Sequence, residues 1–196
     1  MAEVPPLTPT RPKHDGFFTS AVRLFDAPFI IRCGVIPYTI KKDKNGNPRR
    51  FYLLAQDSQT KDFGDFGGGR KAHEGGLSCA YREFVEETRS MFNGVVTFEK
   101  MSESLAVVNE RYGMAIIFVY VDPSWKTAKI YETFRRLKPM GKTGMEISSV
   151  QWVNEKNFLA FIKGDKSGMW TKISSFFRTV SSRMLISTLS VVSYGR

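Results

Sequence analysis

Residues 63–92 read FGDFGGGRKAHEGGLSCAYREFVEETRSMF. The three glycines Gly67, Gly68 and Gly69 read as a loop in which the backbone turns back on itself. From Gly76 to Phe92 the pattern is helical. Leu77, Ala80, Tyr81, Phe84, Val85 and Thr88 recur at helical spacing and form one stripe for a core. Glu83, Glu86 and Glu87 stand at i, i+3 and i+4, so they share a face, expected to look away from the core into a groove. Like charges at this spacing repel by about 0.2–0.5 kcal/mol per pair. A hard divalent cation such as Mg²⁺ or Mn²⁺ takes oxygen ligands and turns that repulsion into binding. Taken alone, such a face also fits a solvated acidic helix. The glycine loop before it lets a backbone carbonyl approach the same ion. Arg82 is placed to hold a carboxylate through two parallel hydrogen bonds, and Glu74 to bridge loop and helix by an ion pair.

The joint pattern is more specific than its parts. It runs Gly68, five residues, Glu74, seven residues, then Arg82-Glu83-Phe84-x-Glu86-Glu87. This resembles the Nudix box, G-x5-E-x7-R-E-U-x-E-E-x-G-U, where U is a bulky apolar residue. Every charged position is filled. The chain departs at the end, where Arg89 stands for the second glycine and Ser90 for the last apolar residue, and in the lead-in, Phe66-Gly67-Gly68. The chain also resembles, weakly, the Nudix proteins of large DNA viruses, some of which remove mRNA caps.

Outside the box, PFIIRCGVIPYTI (28–40) and FYLLAQDS (51–58) read as an antiparallel hairpin around the basic loop KKDKNGNPRR. VVTFEK (95–100) reads as a short strand. ESLAVVNERYGMAIIFVYVDP supplies two strands around a turn at Asn109 to Gly113. A helix is expected over Trp125 to Leu137, a last strand at EISSVQWV, and a helix capped by Asn154. The expected domains are a Pro-rich, disordered segment 1–15, a catalytic domain 16–165 and a basic helical extension 166–196. In order of elements, residues 28–163 resemble the Nudix α/β/α sandwich, an α/β fold with a mixed sheet.

What the resemblance implies is hydrolysis of a nucleoside diphosphate linked to another group, or of a related pyrophosphate. By motif position, Glu83, Glu86, Glu87 and the Gly68 carbonyl would bind Mg²⁺ or Mn²⁺. Arg82 would orient a glutamate, and Glu74 would support the loop. The general base is Glu146, in a late loop, or else Glu86 or Glu87. Arg70 and Lys71 are candidates for substrate phosphate. Arg111 and Tyr112, in the turn, are candidates to stack on or clamp a nucleobase. The alternative is a non-catalytic module of the same fold that binds nucleotide or RNA.

Composition bounds these readings. Of 196 residues 42% are hydrophobic and 16 are Phe, so the chain can bury a core. Net charge is +10, which attracts polyanions. Capped or triphosphorylated RNA, dinucleoside polyphosphates and diphosphoinositol polyphosphates are therefore candidate substrates, and RNA a candidate partner, with Lys41, Lys42, Lys44, Arg49 and Arg50 forming a basic loop. Cys33 and Cys79 have no zinc-like spacing and read as reduced structural thiols. The longest apolar run, Met114 to Val121, is too short to span a bilayer, and no signal peptide is visible. A soluble intracellular, cytoplasmic protein is expected, with a homodimer as the candidate assembly.

Overall fold

Alternation of side chains between two buried faces organises the molecule. The computed structural model describes residues 16–24, 27–124, 129–141, 145–163 and 176. Its central strands are β2 (Arg32–Lys42), β3 (Pro48–Asp57) and β7 (Met114–Tyr120). In β3, Leu53 and Ala55 face one core while Tyr52 and Leu54 face the other. In β7, Ala115, Ile117 and Val119 alternate in the same way with Met114, Ile116 and Phe118. A strand apolar on both faces needs cover on both. The first face is covered by α1 (Gly76–Glu87), α2 (Phe98–Ser102) and α3 (Ile130–Arg136), through Leu77, Phe84, Met101 and Phe134. The second face is covered by α4 (Glu155–Lys163), through Phe158 and Ile162. Phe176 is buried in that second core.

Among the described residues the sheet has eight strands. The others are β1 (Gly16–Ser20), β4 (Phe63–Gly64), β5 (Phe66–Gly69), β6 (Leu105–Asn109) and β8 (Ile147–Asn154). β2 pairs parallel with β7, and the remaining pairings are antiparallel, so the sheet is mixed. This is the expected α/β/α sandwich. β2 and β3 form the expected hairpin, with Tyr38 opposite Tyr52 and Lys42 opposite Pro48. Their far halves diverge, which admits β5 beside β2 and β4 beside β3. Asn154 caps α4 by accepting from the Asn157 amide at 2.9 Å.

Four local expectations are corrected. Gly67–Gly69 are not a turn but the strand β5, paired with Cys33, Gly34 and Arg32. None of the three takes a positive φ. Glycine is required at 67 and 68 for close approach, because a Cβ on Gly67 would collide with the Cys33 carbonyl. The segment after Val95 is not a strand. The Thr97 hydroxyl accepts from the Lys100 amide at 3.2 Å and starts α2. The central helix ends at Glu87 rather than near Phe92, because Arg89 and Ser90 take left-handed φ values of 55° and 56°. Finally, Glu83 and Glu87 are buried, whereas Tyr81 and Val85 of the expected apolar stripe are half-exposed. α1 is rolled so that its Cys79-Glu83-Glu87 edge lies on β5.

Residues 1–15, 125–128, most of the tail and the first turn of the expected Trp125 helix lie outside the described residues. No helix among the described residues is long and apolar enough to cross a membrane.

Candidate functional site

Cys79, Glu83 and Glu87 follow one another at four-residue spacing along α1, and each meets β5. The Cys79 thiol donates to the Gly68 carbonyl at 3.5 Å. The Glu83 carboxylate lies where a Cβ on Gly68 would sit 2.5 Å from it. The Gly67 amide donates to Glu87 Oε2 at 2.7 Å. Glycine at 68 thus makes room for the Glu83 carboxylate between helix and strand. Cys33 and Cys79 are both buried and free.

Arg82 ties the preceding loop to the acids. Its Nε and Nη2 donate to the two oxygens of Glu74, at 2.8 and 2.9 Å. Its Nη1 donates to Glu83 Oε1 at 2.6 Å and lies 3.6 Å from Glu86 Oε2. Glu74 Oε2 also accepts from the Lys71 amide at 2.9 Å, which closes the loop. The hydrogen bonds donated by Arg82 hold the Glu74 carboxyl below its usual pKa, and the carboxylates of Glu74 and Glu83 that accept them hold Arg82 above its own. Arg82 therefore stays a fixed cation and Glu74 a fixed anion.

Glu83 Oε2 is buried and has no hydrogen-bond partner among the described residues. A buried carboxylate oxygen without a partner carries a large desolvation penalty, which a bound cation removes. Glu87 shows the same strain differently. Burial pushes its carboxyl well above the usual range, and the negative charges of Asp65 and Glu83 add to this. Arg32 and the Gly67 amide pull the other way without prevailing. Among the described residues the acids are not already gathered as a three-ligand set. Glu86 is half-exposed, with its Oε2 3.6 Å from Arg82 Nη1. The donor set of Glu83, Glu86 and Glu87 fits a hard divalent ion by oxygen chemistry.

Of the three helix carboxylates, Glu87 lines a cleft of about 300 Å³, between β5, the β3–β4 turn and the start of β8. Glu87, Gly67 and Gly68 form its inner wall, and Glu146 stands at the mouth. The Glu146 carbonyl accepts from the Ser58 amide at 2.7 Å, which anchors its backbone to the β3–β4 turn. Sequence reasoning missed the Arg32–Asp65 pair in this wall. Arg32 donates to both Asp65 oxygens, at 2.7 and 2.9 Å, and to the Gly67 carbonyl at 3.0 Å. Burial pulls the Arg32 pKa down, but the Asp65 charge and hydrogen bonds outweigh it and the net shift is upward. Asp57 and Asp62 line the outer wall and were missed too. An aspartate among glycines, Gly64-Asp65-Phe66-Gly67, was the signal available in the sequence.

Arg82 links Glu74, Glu83 and Glu86, and Glu83 packs on Gly68; of the predicted site residues, Gly68, Glu87 and Glu146 line the cleft. The structure does not bring the four candidate substrate contacts there. Arg70 turns back to donate to the Ala27 carbonyl at 3.0 Å, and Lys71 is exposed. Arg111 and Tyr112 are exposed in the β6–β7 turn. None of the four lines the cleft. A larger, open hollow of about 730 Å³ lies between the end of the β2–β3 hairpin and α4. Arg49, Arg50, Lys156 and Lys163 line it, none of the box carboxylates does, and it occupies the opposite end of β3. The smaller cleft is therefore the candidate site.

No protein-family model matches the sequence, and no curated protein matches it significantly. Solved structures do align with the fold. A mutT/nudix family protein from Listeria innocua aligns with a TM-score of 0.46 at 17% identity, over 81% of this chain and 95% of that one. A C. elegans Ap4A hydrolase in a binary complex gives 0.43 at 15%, over 80% and 98%. A bifunctional NMN adenylyltransferase/ADP ribose pyrophosphatase from Francisella tularensis, complexed with AMP and a manganese ion, gives 0.42 at 14%, over 85% and 45%. At identities and TM-scores this low, the likenesses assign no activity to this chain.

Proposed function

We propose that this protein is a divalent-metal-dependent hydrolase of the Nudix type, cleaving a pyrophosphate bond in a nucleoside diphosphate linked to another group. The observation that carries the reading is the buried Glu83 oxygen without a partner, beside Glu87, in a cradle open only because residue 68 is glycine. A structural helix face has no need of that arrangement. Glu83, Glu86 and Glu87 would hold Mg²⁺ or Mn²⁺, with a β5 carbonyl, that of Gly68, as the further donor. Bound there, such ions neutralise diphosphate oxygens and make water a stronger acid.

The chain's own residues supply the rest. Arg82 fixes Glu83 and Glu74, so loop and helix keep one geometry. Glu146 faces the cleft from the opposite side and accepts the proton of the attacking water, with Glu86 or Glu87 as the other candidates for that role. Arg32 presents a guanidinium in the wall, where a phosphate oxygen would lie. The +10 net charge favours a polyanionic substrate. Capped or triphosphorylated RNA, dinucleoside polyphosphates and diphosphoinositol polyphosphates form the class to be tested.

The test is a turnover screen over these compounds, with NDP-sugars and dNTPs added, in Mg²⁺ and in Mn²⁺. Wild type should cleave one class, and Glu86→Gln should lose at least about a hundredfold in kcat. Cleavage of nothing, with nucleotide binding unchanged in Glu86→Gln, would identify a binding module instead.

A further inference from the structure

We infer that Arg89 is a positioning residue, which holds Glu146 at the mouth of the cleft by tying Phe134, Leu137 and Ile147 to the end of α1. The inference rests on the reading of Glu146 as a group that acts on the substrate.

Arg89 has a φ of 55° and Ser90 of 56°, a backbone region that side chains other than glycine adopt at a cost. Two such residues in succession persist only where the surroundings over-determine them. Here both side chains engage the same distant segment. Arg89 Nη1 donates to the Phe134 carbonyl at 3.2 Å and the Leu137 carbonyl at 3.1 Å. Its Nη2 donates to the Ile147 carbonyl at 3.1 Å. The guanidinium carbon also lies 3.9 Å from the centre of the Phe134 ring. Ser90 Oγ lies 3.1 Å from Met140 Sδ.

The chemistry of these contacts explains an arginine. Phe134 and Leu137 present the last carbonyls of α3, the negative end of that helix, and a cation stabilises them. Three carbonyls converging on one site match the donor fork of a guanidinium, which an ammonium cannot reproduce. The Ile147 carbonyl is the decisive partner, because Ile147 directly follows Glu146. The Glu146 main chain is thus held from two sides. The Ser58 amide holds the Glu146 carbonyl from the β3–β4 turn, and Arg89 holds the next carbonyl from α1. The helix that carries the three box glutamates thereby fixes the distance to the fourth acid across the cleft. A glycine at 89 would relax the backbone and release that link.

The experiment compares Arg89→Gly, Arg89→Lys, Glu146→Gln and the double variant Arg89→Gly/Glu146→Gln. The substrate is the compound of the screen above that wild type cleaves best, with Mn²⁺. Arg89→Gly should lower kcat by about tenfold to a hundredfold, with KM changed much less. Arg89→Lys should fall between it and wild type. The double variant should be no slower than Glu146→Gln, because both changes act through one carboxylate. Amide hydrogen exchange at residues 145–148, read without substrate, should be faster in Arg89→Gly. Wild-type kcat in Arg89→Gly, single effects that multiply in the double variant, or unchanged exchange would overturn the inference. Should Arg89→Gly not fold, wild-type kcat in Arg89→Lys overturns it. Wild-type kcat in Glu146→Gln also overturns it, while leaving the hydrolase reading intact with Glu86 or Glu87 as base. A wild type that cleaves nothing sinks the hydrolase reading, and the tether is then decided by exchange alone.

Discussion

The two flanks of α1 are buried to nearly the same degree and for opposite reasons. Phe84 is 1% exposed, Glu83 3% and Glu87 4%. On the apolar flank, Leu77, Ala80 and Phe84 enter the core, and Phe84 meets Phe66 edge-on at 5.7 Å. Burial there stabilises the fold at roughly 25 cal/mol per Å² of apolar surface. On the acid flank the same burial opposes folding, because a carboxylate loses its water. One flank holds the helix in place, and the other uses that hold to keep acids where they would not otherwise stay. The comparison breaks most readily at Phe84. Phe84→Ala should destabilise the protein by about 3–5 kcal/mol in urea unfolding. A loss below about 1 kcal/mol would mean that the apolar flank does not anchor the helix.

Gly68→Ala tests the opposite flank. The added Cβ would lie 2.5 Å from the Glu83 carboxylate, so the acid must move. A ~1 Å misplacement of a group that positions the reacting atoms costs about a hundredfold in turnover. We expect that loss in kcat, with weaker Mn²⁺ binding by calorimetry and a smaller stability change than in Phe84→Ala. Undiminished turnover would show that Glu83 and its cradle are not the site.

What was legible in the sequence follows from the range of the forces involved. Side-chain spacing along one element is local, so the hairpin, the two strands around Gly113 and the central helix were all readable from periodicity. The box residues were readable because they fall within twenty residues of one another, and Arg82 meets Glu74 through a spacing fixed by a single loop and helix turn. The strand at Gly67–Gly69 was not readable. Glycine signals a turn by its backbone freedom, but here it serves close approach to Cys33 and Glu83, which only the folded sheet supplies. The orientation of α1 was missed for the same reason, since a helix with apolar residues on one edge and acids on the next can roll by a few tens of degrees. Arg32 and Asp65 lie 33 residues apart and meet only through the β2–β5 pairing. Arg89 read as a departure from the motif because its partners, Phe134 to Ile147, lie more than forty residues downstream.

The finest difference between the flanks is electrostatic, and Glu87 reports it. Its folded pKa lies above its ordinary value of 4.5, chiefly through burial. Between those two pH values the unfolded chain has released the proton and the folded chain has kept it. Folding then takes up a proton, so stability falls as pH rises through that window. The slope from one such group is at most about 1.4 kcal/mol per pH unit. Glu87→Gln has no proton to retain. In EDTA, urea midpoints measured from pH 4.5 upward should therefore fall less steeply in Glu87→Gln than in wild type. Added Mn²⁺ should raise the wild-type midpoints most at the high end of the window, where the ionised carboxylate is what the cation stabilises, and should raise those of Glu87→Gln less. Parallel slopes in EDTA would mean that burial does not raise the Glu87 carboxyl, and the two flanks of the helix would then differ only in polarity.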